Sequence, residues 1–81
     1  MRGSFNRSHP GAFRLLVCRP TVTTKGKTVI QSFWPADESS IGADDVETRA
    51  SALLAHDLTL QIYVWALEAQ QFVGMFKGDL S

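Results

Sequence analysis

His56 and Asp57 are adjacent, and Ser39, Ser40 and Ser51 precede them, so the chain holds the residue types of a nucleophile, a base and an orienting carboxylate. Such a set works by geometry, with a hydroxyl in hydrogen-bond reach of an imidazole that the carboxylate holds in place. Nothing in the spacing specifies that geometry. His56 has a simpler reason for its position: it closes an expected helix, where an imidazolium meets the negative end of the helix dipole. His9 has no partner near it in sequence, and two histidines and one cysteine this dispersed lack the spacing of a zinc site. Asp37-Glu38 and Asp44-Asp45 are oxygen donors for a hard cation, yet no calcium-loop pattern surrounds them, and a solvated connection followed by a helix start accounts for all four. Lys25-Gly26-Lys27 reads as a turn, not a phosphate loop. The expectation is a non-enzymatic protein with no catalytic residue, no metal and no cofactor.

Binding chemistry is better represented. Net charge is zero, with eight basic and eight acidic side chains, but the two signs are segregated. Arg2, Arg7, Arg14, Arg19, Lys25 and Lys27 precede Ala36 without one acid among them, while the stretch from Asp37 to Asp57 carries Asp37, Glu38, Asp44, Asp45, Glu47 and Asp57 against Arg49 alone. Segregation of this kind marks an interaction surface, or else two segments that lie side by side and neutralise each other. The first functional reading is a protein-binding module, an adaptor or inhibitor acting by surface complementarity. It uses the acids Asp37, Glu38, Asp44, Asp45 and Glu47 and the aromatics Trp34, Tyr63 and Trp65, since large aromatics anchor interfaces. The alternative is a nucleic-acid binder in which Arg14, Arg19, Lys25 and Lys27 grip phosphates while sheet aromatics stack on bases. Zero net charge and an isoelectric point near 6.7 weigh against that alternative.

In its small size, its lack of catalytic motifs and its acidic patch, the chain resembles in style the small proteins that phages and mobile elements encode against host machinery, anti-CRISPR proteins among them. The resemblance implies that the five acids would stand in for phosphates on a surface that normally takes nucleic acid.

These residues must be positioned by a fold whose densest apolar stretch is residues 58–76. Leu58, Leu60, Ile62, Val64 and Ala66 alternate with Thr59, Gln61, Tyr63 and Trp65, the pattern of a half-buried strand. Residues 72–77 are then a returning strand, with Gly74 at a bulge or a close backbone approach. The competing reading replaces that strand by a second helix over residues 64–77, against which Gly74 would cost about 1 kcal/mol.

Residues 13–23 and 27–34 are rich in β-branched and aliphatic side chains and flank Gly26, which predicts a hairpin. Pro20 cannot donate to a ladder, so the first strand is expected at a sheet edge or with a bulge there, the second pairing inward. A helix is expected from about Asp44, capped by Asp44 with Glu47 reaching back, and carrying Val46, Ala50, Leu53 and Leu54 as one apolar stripe. The order is β-β-α-β-β, an α+β fold with an antiparallel sheet and one helix packed on one face.

Residues 1–12 are expected as a flexible tail before one domain spanning 13–81. At this size a domain is marginally stable alone, which leaves homodimerisation open. A single cysteine, Cys18, provides no disulfide framework and suits a reducing interior, and no apolar run reaches the ~20 residues that span a bilayer. The protein is read as soluble and cytoplasmic, with another protein as its partner, nucleic acid less so, and no membrane.

Overall fold

Among the described residues the chain forms five strands and one helix: β1 (Arg2–Phe5), β2 (Phe13–Val22), β3 (Thr28–Pro35), α1 (Ala43–His56), β4 (Gln61–Ala66) and β5 (Gln71–Lys77), with β-branched and alternating side chains concentrated in β2 to β5. This computed structural model describes residues 1–35 and 40–79, with the backbone alone at residue 22 and at residues 28–35. The strands make one antiparallel sheet in the order β1-β5-β4-β2-β3. The fold is α+β, and the expected β-β-α-β-β sequence is present as β2-β3-α1-β4-β5.

The helix lies across β2 and β4 on one face of the sheet. Val46, Ala50 and Leu54 point down from it and are buried, with Leu53 partly so, which is the apolar stripe read from the spacing. They meet Phe13, Leu15 and Val17 of β2, Ile62, Val64 and Ala66 of β4, and Phe76 of β5. Strand alternation explains the split: in β4, residues 62, 64 and 66 are buried while 61, 63 and 65 are half-buried on the far side. At roughly 1.5–3 kcal/mol per buried large apolar side chain, this single layer supplies the main stabilising term of the fold.

Several expectations change. Arg2–Phe5 of the supposed 1–12 tail is a strand, paired with β5 from Arg2↔Lys77 to Phe5↔Gly74. Its reason is tertiary, because the Phe5 ring packs edge-on against Phe13 at 5.6 Å and Phe76 at 6.1 Å. The sheet edge on the other side is β3, not β2. Pro20 is tolerated in β2 because pairing with β4 ends at Cys18, and the register against β3 shifts between Cys18 and Pro20. The bulge half of that expectation holds and the edge half does not.

Helix α1 begins at Ala43 after an extended Gly42, with no side-chain cap. Asp44 is not the cap; it lies inside the first turn and accepts from Arg7. Strand β4 starts at Gln61, which leaves Leu58 outside it and 47% exposed. Residues 71–77 are strand, so the second-helix alternative is excluded. Gly74 serves both purposes predicted for it. The β4–β5 register slips between Val64 and Trp65, and a Cβ at residue 74 would run into Phe5 and the Ser4 carbonyl of β1.

Candidate binding face

The side of the sheet opposite α1 gathers the residues that alternation turns away from the core. Register aligns them in rows: Arg14 of β2 lies opposite Trp65 of β4, which lies opposite Phe72 of β5. Next come Leu16, Tyr63 and Met75, and then Cys18, Gln61 and Lys77, with Arg2 of β1 beside Lys77. The bulge is what turns Phe72 outward, since the extra residue, Val73, packs against the core instead.

Three rings form the centre of this face. Phe72 meets Trp65 edge-on with centroids 4.8 Å apart and Tyr63 edge-on at 5.7 Å. Tyr63 and Trp65 are half-buried, but Phe72 remains 48% exposed, a large apolar ring left to water. The Tyr63 hydroxyl donates to Gln61 Oε1 at 3.2 Å, which fixes the ring, and burial raises its pKa above the ordinary value. Cys18 is fully buried, and that burial pushes its thiol pKa up despite a hydrogen bond with Gln61.

Charge follows the same layering. None of the five strands contains an aspartate or glutamate, whereas Arg2, Arg14, Arg19 and Lys77 all lie in strands. Arg2, Arg14 and Lys77 fall on the aromatic face by register. Arg2 has Asp79 Oδ1 at 4.0 Å, a loose and exposed pair.

The residues singled out from sequence do not form one surface. Asp44, Asp45 and Glu47 are exposed on α1, in the layer on the opposite side of the sheet from Tyr63 and Trp65. Asp37 and Glu38 lie outside the described residues. Trp34 is placed by its backbone in β3, opposite Val17, and its side chain lies outside the description. Of the basic set, Arg14 is on the aromatic face. Arg19 is turned to the helix end, donating to Asp57 Oδ2 at 2.7 Å, and Lys25 and Lys27 flank Gly26 at the exposed hairpin tip. Arg7–Asp44 and Arg19–Asp57 join the basic N-terminal part to the acidic segment, as the neutralising reading expected.

Sequence reasoning missed Phe72, Arg2 and Lys77. Phe72 carries a signal only once the bulge at residues 72–74 is known, and the two cations depend on β1 and β5 being neighbours.

Among the described residues, no three His, Cys, Asp or Glu side chains are grouped to hold a metal, and no helix is long and apolar enough to cross a membrane. Compared with family models, curated proteins and solved structures, the chain matches none.

Proposed function

We propose that the protein is a small non-enzymatic binding module, an adaptor or inhibitor acting by surface complementarity, whose contact surface is the uncovered face of its sheet. One observation carries this: Tyr63, Trp65 and Phe72 are clustered edge-to-face on the side the helix leaves open, with Phe72 half exposed. An aromatic cluster of this kind is what binding interfaces use as anchors, because rigid rings bury much area at little entropic cost. The acids of α1 are outside that surface, and Asp44 is already engaged by Arg7, so the aromatic half of the sequence-based set is favoured over the acidic half. The reading places the protein inside the cell, where the buried thiol of Cys18 stays reduced.

The test is a photo-crosslinking side chain placed at residue 72 and, as a control, at the exposed helix position 55, each in the cell that expresses the protein. Discrete adducts from position 72 and none from position 55 are expected. Equal adducts from both positions, or none from 72, would remove the reading.

A further inference from the structure

We infer that the uncovered sheet face is a site for single-stranded nucleic acid, an inference that rests on the binding-face reading and names its partner. Single strands are held by two features together: aromatic side chains on which bases stack, and cations that track the phosphates without sequence preference. The face supplies both. Tyr63, Trp65 and Phe72 form a contiguous aromatic patch, and Phe72 leaves half its surface open to a base. Arg14 stands opposite Trp65 at one end of the patch, and Lys77 and Arg2 stand beside Gln61 at the other, so cations flank the rings along the sheet.

Charge separates this partner from a neutral or basic protein surface, and the open ring of Phe72, on which a base can stack, favours it over an acidic one. The strands carry Arg2, Arg14, Arg19 and Lys77 and no acid, whereas Asp44, Asp45 and Glu47 lie on the helix behind the sheet, and Asp79 pairs loosely with Arg2 at the edge of the face. A whole-chain charge of zero therefore does not describe the face. The cations of the alternative sequence reading are partly redistributed: Arg19 is held closely by Asp57, and its place is taken by Lys77 and by Arg2, whose pair with Asp79 is looser at 4.0 Å.

The net charge of Arg2, Arg14 and Lys77 with Asp79 beside Arg2 is two, and it fixes the expected strength. Neutralising two phosphates of a single strand gives a salt slope of about −1.4 in log K against log salt, and affinity on the order of 1–100 µM at moderate salt. Duplex is disfavoured, because stacking on Phe72 requires an unpaired base.

The experiment is fluorescence anisotropy of the full chain with a labelled mixed-sequence single strand of about 12 nucleotides, as DNA and as RNA, against the same sequence as duplex, from low to moderate salt. Phe72→Ala, Lys77→Gln and, on the helix side, Arg49→Gln are compared after circular dichroism shows each folded. All three positions are exposed. The expected result is binding of single strands of either sugar in preference to duplex. Phe72→Ala weakens it roughly 5- to 150-fold. Lys77→Gln makes the salt slope shallower by about 0.7. Arg49→Gln changes nothing. The inference is overturned if no single strand binds, if Phe72→Ala is without effect, or if Arg49→Gln weakens binding as much as Lys77→Gln. The photo-crosslinker separates the two levels. Adducts at position 72 whose mobility nuclease leaves unchanged and whose second half yields peptides of another protein would overturn the nucleic-acid partner and leave the binding face standing. No adduct there would remove both.

Discussion

Asp57 shows how much one exposed carboxylate can organise at a corner of the chain. It ends α1, with its own amide donating to the Leu53 carbonyl, and its side chain accepts from the Thr59 amide at 2.9 Å, from the Thr59 hydroxyl, and from Arg19. The Thr59 hydroxyl, then the Thr59 amide, and lastly Arg19 hold its pKa below the ordinary carboxylate value, against an opposing effect of desolvation. A carboxyl whose folded pKa is depressed adds stability above the unfolded value, near pH 4, and loses it as pH falls through the lower folded value. Asp57→Asn should therefore narrow the gap between urea midpoints at pH 7 and pH 3; an unchanged gap would show that the turn does not sense this proton. Cys18 makes the opposite kind of residue-level statement. Buried and with its thiolate disfavoured, it should react with a disulfide reagent only as fast as the protein opens, so its rate in native buffer should be far below its rate in denaturant.

At the level of elements, the helix and β1 are held in different ways. Leu54 is buried between the helix and the sheet, and Leu54→Ala should cost about 2–5 kcal/mol in a urea titration. Strand β1 depends on two close approaches, because Gly74 lets Phe5 and Ser4 sit directly beside β5 and Gly3 lies against the Met75 carbonyl. Gly74→Ala should push β1 away at a cost of about 1–3 kcal/mol, read as faster amide exchange in β1 and its β5 partners while α1 is unaffected.

The contrast also explains what could be read from residues alone. Val46, Ala50, Leu53 and Leu54 announce their helix because the period is repeated, and Ile62, Val64 and Ala66 announce β4 by alternation. Arg2-Gly3-Ser4-Phe5 has no such repetition. Gly3 even takes φ of 121°, and the strand is held by tertiary contacts, the Phe5 ring against Phe13 and Phe76 and the ladder with β5. The turn at residues 67–70 has none of the usual turn residues; Gln70 takes the left-handed φ of 54° there, a conformation its side chain does not favour. The aromatic face was half legible, in Tyr63 and Trp65, and its third ring was hidden by a bulge that only the β4–β5 register reveals.

Across the whole molecule, the sheet order separates charge as well as apolarity: the strands hold Arg2, Arg14, Arg19 and Lys77 and no acid, while Asp44, Asp45 and Glu47 lie on the helix and Asp57 at its end. The ion pairs that bridge the two lie at the surface, where water and salt screen them, so the layers are joined mainly by the core. The order also brings distant parts of the chain together, since Arg2 in β1 pairs with Lys77 in β5. That pairing has a mechanical consequence. The two strands run antiparallel with the free end of β1 beside the free end of β5, so a force applied between residues 1 and 79 loads their ladder one rung at a time, from Arg2 and Lys77 inward to Phe5 and Gly74. The sheet would be peeled like a zip, yielding β1 first and at low tension, whereas the same force between residues 13 and 77 would bypass β1 and meet the core directly.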